Sequence, residues 1–104
     1  MNLSLNSQSS QHSIDPVILV TGSAKRIGAD IIRVAHTQSY RVIIHWNNSQ
    51  QQAQKLANEL NTSRVNSAAI VVADLAIANH EIDLKNFVKA VIECFGRLDV
   101  LVHN

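Results

Sequence analysis

Val17-Ile18-Leu19-Val20 runs directly into Thr21-Gly22-Ser23-Ala24-Lys25-Arg26-Ile27-Gly28, and the reading of this stretch decides the fold. An unbroken apolar run of this length is the pattern of a parallel strand buried on both faces. Gly22 ends it with a tight turn whose backbone, lacking a Cβ, lets a phosphate approach closely. From Arg26 to about Ser39 the period changes, with Ile27, Ile31 and Ala35 four apart on one helical face. Gly28 falls in the first turn of that helix, where a missing side chain permits close packing on the strand. The helix start offers unpaired N–H groups and a partial positive charge to an anion. A Walker A loop is excluded, because Gly28 is followed by Ala29-Asp30 rather than by Lys and Ser/Thr.

Beyond the turn, the pattern repeats. Arg41 to His45 reads as a second strand, rich in β-branched residues. Asn47, Asn48 and Ser49 are all good helix caps, and Ala53, Leu56, Ala57 and Leu60 form the apolar stripe of the helix that follows. Ala68 to Ala73 is a third strand, ending at Asp74-Leu75, with a loop through Asn79. The next helix carries Leu84, Phe87, Val88, Val91, Ile92 and Phe95 on one face, and Gly96 closes it. Leu98 to Val102 begins a fourth strand. Three βα units in tandem predict a Rossmann-type α/β domain, a doubly wound parallel sheet of order 3-2-1-4 truncated after the fourth strand. The ligand crevice then falls at the switch point between strands 1 and 4. Thr21–Gly28, His45–Ser49, Asp74–Leu75 and His103–Asn104 converge there.

The composition suits such a domain. Of 104 residues, 46% are hydrophobic and 16% charged, which fits a globular core. Nine Lys/Arg against eight Asp/Glu give a net charge of +1 with no basic stripe, so neither nucleic acid nor an anionic membrane is the expected partner. No stretch reaches the ~18–20 apolar residues that span a bilayer. No metal site is expected. Cys94, the single cysteine, reads as a buried helix thiol in a reducing compartment. Residues 1–14, rich in Ser, Asn and Gln, read as a flexible polar tail without targeting features, leaving 15–104 as the folded, dinucleotide-binding part.

With these residues in view, the turn resembles that of the short-chain dehydrogenase/reductases, whose signature is T-G-x-x-x-G-x-G. Arg26 replaces the middle glycine, which is the form of the pteridine reductase branch. An arginine there sets a cation beside the cofactor phosphate and the mouth of the substrate site. The resemblance assigns Gly22, Ser23, Lys25, Arg26, Ile27 and Gly28 to the cofactor, and Arg26 also to the substrate. An NAD site wants an acid about 20 residues past the glycine turn, to accept from the ribose 2′-OH. His45-Trp46-Asn47-Asn48-Ser49 holds that place, and no acid appears until Glu59. His45, Asn48, Ser49 and Arg26 can instead donate to a 2′-phosphate, so NADP(H) is the expected cofactor. Pteridine reductases carry a similar His-aromatic-x-[Arg/Asn]-Ser segment. Trp46 either flanks the adenine or packs in the core.

By the same resemblance, Asp74 accepts from the adenine amino group and Leu75 contributes a backbone contact. Leu98 to Asn104 is similar to the family's D-V-L-V-N-N-A segment: Asn104 matches its second asparagine, a cofactor contact, and His103 replaces the first. The family's catalytic tyrosine and lysine, four residues apart, are not matched here. Tyr40 is the sole tyrosine, and Ile44 stands four residues on. No catalytic residue is therefore assigned, and the 104 residues alone are expected to be inactive. The resemblance implies a cytoplasmic, homotetrameric reductase acting on a small molecule, a pterin or dihydropterin C=N bond. A 3-oxoacyl or other carbonyl reductase is the alternative within the family. A catalytically silent dinucleotide-binding fragment is the alternative outside it.

Overall fold

The computed structural model describes residues 15–74 and 81–104. Leu75 and the tail assigned to 1–14 lie outside them. The elements run β1 (Val17–Val20), α1 (Arg26–Thr37), β2 (Arg41–Trp46), α2 (Gln50–Ser63), β3 (Ala68–Val72), α3 (Glu81–Phe95) and β4 (Val100–Val102). The four strands form one sheet of order β3-β2-β1-β4, and every pairing is parallel. The α/β Rossmann-type architecture predicted from the sequence is the one observed.

Period-two alternation divides the core between the two sides of the sheet. Ile18, Val20, Val42 and Ile44 point to one face, where Ile32 of α1 and Leu56 and Leu60 of α2 cover them. Val17, Leu19 and Ile43 point to the other, against Val91, Phe87 and Phe95 of α3. This three-layer packing is what lets an unbroken apolar strand persist, since neither face meets water.

Two helix faces differ from expectation. In α1 the buried residues are Gly28, Ala29, Ile32, Ala35 and His36, while Ile27 is 70% exposed. The stripe expected at Ile27, Ile31 and Ala35 is rotated, with Gly28, the residue without a side chain, set against the turn that follows β1. On α3, Val91 is buried but Leu84, Val88 and Ile92 are exposed. With Leu101 of β4 they border an apolar groove of about 380 Å³. Leu98, expected in the fourth strand, precedes β4, and Cys94 is half-buried rather than fully enclosed. Partial burial pushes its thiol pKa up, with Glu93 adding to the shift.

A polar network locks the far ends of these elements. His36 Nε2 lies 2.7 Å from the Ser67 hydroxyl, which itself donates to the Arg64 carbonyl. The hydroxyl proton is thereby committed, so the imidazole is the donor. Burial, reinforced by the charge of Arg64, holds the pKa of His36 below the ordinary histidine value. Arg64 also donates to the carbonyls of His36 and Tyr40, at 3.0 and 2.6 Å. Tyr40 thus stands at the start of β2, at the opposite end of that strand from Trp46.

Candidate functional site

Thr21 leaves β1 tied to β4, with its amide donating to the Val102 carbonyl at 3.0 Å. Gly22 follows in the left-handed region at φ +59°, where a side chain would be strained. Its amide donates to Nδ1 of His45 at 2.8 Å, and its carbonyl accepts from the Asn104 side chain at 3.1 Å. Ser23, fully buried, exchanges a reciprocal pair with β2: its amide donates to the His45 carbonyl at 2.9 Å, and its hydroxyl accepts from the His45 amide at 3.1 Å. The turn is therefore fixed by its neighbours in the sheet before any ligand arrives.

The first α1 bond runs from the Ala29 amide to the Lys25 carbonyl, at 3.4 Å. The amides of Arg26, Ile27 and Gly28 precede it and have no intrahelical acceptor, as at any helix start. Lys25, the N-cap residue, makes no side-chain cap bond. These donors, together with the helix dipole, form a surface that favours an anion. Gly28 is the closest approach: a Cβ there would stand 2.6 Å from the Gly22 carbonyl oxygen and 2.8 Å from Ser23 Cα. The glycine is required by space, as its place in the motif predicted.

Arg26 stands at φ +61°, a conformation costing a non-glycine residue about 1–2 kcal/mol. The family glycine at this position would adopt it freely. Arg26→Gly is therefore expected to stabilise the fold by about 0.5–1 kcal/mol, after the larger unfolded-state entropy of glycine is subtracted. Thermal denaturation measures this, and a lower midpoint would mean that the arginine side chain contributes more than its backbone costs.

Gly22, Lys25, His45, Trp46, Asn48 and Ser49 line one cleft of about 170 Å³ between the turn and the end of β2. Ser49 is the N-cap of α2 but makes no side-chain cap bond, so its hydroxyl is not committed to the helix. Next to this cleft lies a groove bordered by Lys25, Arg26, Arg33, Lys55 and Glu59. Arg33 is engaged by Glu59 at 3.2 Å, and that hydrogen bond, followed by the guanidinium charge, lowers the Glu59 pKa. The cations Lys25, Arg26 and Lys55 leave the groove positive. Asp74 lines a separate hollow at the end of β3 with Ala73, Asp83, Asn86 and Phe87.

Asn104 reaches the turn twice, its amide donating to Thr21 Oγ1 at 2.9 Å and its side chain to Gly22. The sequence placed it at a cofactor contact; here it braces the turn. His45 lines the cleft with its ring nitrogens engaged by the protein itself. Its ring lies on the α3 face, as Ile43 does, and meets Phe87 edge-on at 5.7 Å. With Nδ1 accepting from Gly22 and Nε2 2.8 Å from the Ala73 carbonyl, no donor remains for a 2′-phosphate. Trp46, one residue on, packs instead against the α1–α2 core. The reasoning from sequence placed Phe87 on the apolar face of its helix and missed its contact with His45 at this site. Strand alternation on β2 was the available signal for Phe87's partner.

Among the described residues no group of His, Cys, Asp and Glu could hold a metal ion, and no helix is long and apolar enough to cross a membrane. The family model described as short chain dehydrogenase matches residues 16–104. The chain is similar to pteridine reductase 1 of Leishmania tarentolae, 40% identical over 103 residues, covering 86% of this chain and 36% of that protein. It is also similar to a 3-oxoacyl-acyl-carrier-protein reductase of Staphylococcus aureus, 35% identical over 86 residues, covering 83% and 33%. The chain thus spans about a third of the length of the curated relatives it matches.

Proposed function

The chain belongs to the short-chain dehydrogenase family, and from that premise we propose that it supplies the cofactor half of an NADPH-dependent reductase of pterins or dihydropterins. The family makes it an oxidoreductase component that takes a nicotinamide dinucleotide. One observation carries the choice of phosphate form: the rim of β2 from Trp46 to Ser49 has no carboxylate, while Lys25 lines the same cleft and Arg26 the groove beside it. A carboxylate there would repel a 2′-phosphate; amides, a hydroxyl and cations attract one.

The residues fit the group. The amides of Arg26, Ile27 and Gly28 would receive the pyrophosphate, on a helix start that Gly28 allows to sit directly against the turn. Asn48 and Ser49 would hold the 2′-phosphate, with Lys25 beside them. Asp74 would accept from the adenine amino group. When bound, NADPH supplies hydride for the C=N bond of the substrate. Arg26, at the head of α1, would steer an anionic or carbonyl-bearing ring toward the crevice.

Support for a pterin substrate is Arg26 in the turn together with the similarity to a pteridine reductase. The similarity to a 3-oxoacyl reductase at 35% identity favours a carbonyl substrate as the second reading. The tyrosine–lysine pair of the family falls outside these residues, so reduction is proposed for the whole protein and cofactor binding for this chain. Titration with NADPH and NADH, followed by nucleotide fluorescence, is expected to give at least ten-fold tighter binding of NADPH, about 1.4 kcal/mol. Steady-state reduction of dihydrobiopterin by the full-length gene product tests the substrate; turnover of acyl-carrier ketones alone would favour the second reading.

A further inference from the structure

We propose that His45 is a positioning residue for the phosphate turn, its neutral imidazole clasping the Gly22 amide to the end of β3. The inference rests on the dinucleotide reading above and adds the group that shapes the turn for it. A backbone amide only donates, so Nδ1, 2.8 Å from the Gly22 nitrogen, carries no proton. A carbonyl only accepts, so Nε2, 2.8 Å from the Ala73 oxygen, carries it. The two partners leave the ring no tautomeric choice.

The surroundings hold the ring in this orientation. The side chain is 5% exposed, and Phe87 of α3 closes its flank edge-on. Strand alternation turns His45 toward α3 while the chain continues to the cleft at Trp46. The clasp thus reaches the turn from the α3 side of the sheet.

Gly22 is the residue in need of holding. Its left-handed backbone is one of several open to glycine, and selecting it requires external bonds. His45 fixes the amide and Asn104 fixes the carbonyl. Both bonds come from other strand ends, so the ends of β1, β2 and β3 and the segment after β4 are tied at one point. The Gly22 amide is consequently not a phosphate donor. Its work is to set the direction in which the chain enters α1.

Two near-isosteric substitutions separate the halves of the clasp. In His45→Asn the side-chain oxygen stands near the position of Nδ1 and still accepts from Gly22, but it cannot reach Ala73. In His45→Gln the longer amide reaches Ala73 and leaves Gly22 without an acceptor. Both lose one buried bond, so both are expected to lower the thermal midpoint by similar amounts. Only His45→Gln is expected to weaken NADPH, by about ten-fold, with His45→Asn within three-fold of the parent.

The companion measurement on the ligand-free chain is a nitrogen–nitrogen scalar coupling across the Gly22 N–H to Nδ1 bond, in protein with ¹⁵N-labelled backbone and histidine. The expected result is a coupling present in the parent and absent in His45→Gln. No coupling in a parent that binds NADPH would overturn the clasp and leave the dinucleotide reading standing. A coupling in a parent that binds neither NADPH nor NADH would overturn the dinucleotide reading, and the positioning role with it. Equal losses of affinity in the two variants would reduce His45 to a packing residue.

Discussion

Gly28→Ala is expected to weaken dinucleotide binding by more than 100-fold and to destabilise the fold by about 2–3 kcal/mol. The added methyl would stand 2.6 Å from the Gly22 carbonyl oxygen, 2.7 Å from Asn104 Nδ2 and 2.8 Å from Ser23 Cα. The asparagine can swing aside; the two backbone atoms cannot. Both belong to the turn, so relief requires α1 to back away from β1. That movement carries off the amides of Arg26, Ile27 and Gly28 together. Two controls isolate the cause. Removing the movable neighbour in Gly28→Ala/Asn104→Ala should not restore binding, because the backbone clashes persist. Gly96→Ala meets no atom within 4 Å but is strained at φ +81°, so it should cost about 1–2 kcal/mol of stability and leave nucleotide affinity unchanged. Denaturant unfolding and NADPH fluorescence titration measure both quantities. Retained affinity in Gly28→Ala would show that the turn yields without losing its function.

The legibility of this glycine explains what else the sequence revealed. A strand, a glycine turn and a helix follow one another within a few residues, so local pattern alone places them. The tandem βα units then restrict the order of the parallel strands through the handedness of their connections. What the pattern does not carry is orientation about an element's own axis. Ile27, Ile31 and Ala35 satisfy a helical stripe, but the observed face is set by Gly28, whose contact with the turn is tertiary. His45 shows the same limit on a strand. Its chemistry suggested a phosphate donor, while its parity with Ile43 sent the ring to the α3 side. Parity was readable once the core faces were assigned; the donor at Gly22 and the acceptor at Ala73 were not, because they come from two other strands. The exposed row Leu84, Val88 and Ile92 is a third case. Periodicity marks these residues as apolar and aligned without saying what covers them.

Asn48→Asp carries the second large effect, an expected fall of about 100-fold in the preference for NADPH over NADH. Asn48 is exposed on the cleft it shares with Gly22, Lys25, Trp46 and Ser49, so the nearly isosteric change should leave the fold intact. The substitution places a carboxylate where the β2 rim has none. At a separation of about 4–6 Å and an effective dielectric between protein surface and water, repulsion of a 2′-phosphate amounts to roughly 1–3 kcal/mol, ten-fold to somewhat over 100-fold in affinity. The same carboxylate can accept from a free ribose 2′-OH, so NADH binding should hold or improve. Lys25 and Arg26 nearby temper the repulsion without cancelling it, because Asn48→Asp adds charge at the phosphate side of the cleft. The loss of NADPH affinity should also shrink as salt rises from about 0.05 to 0.5 M, since the cleft is open to solvent and screening shortens the reach of the carboxylate. Paired titrations with the two nucleotides at both salt concentrations measure this directly. An equal change for NADPH and NADH would place the 2′-phosphate elsewhere, with the basic groove bordered by Arg26 and Lys55 as the remaining position.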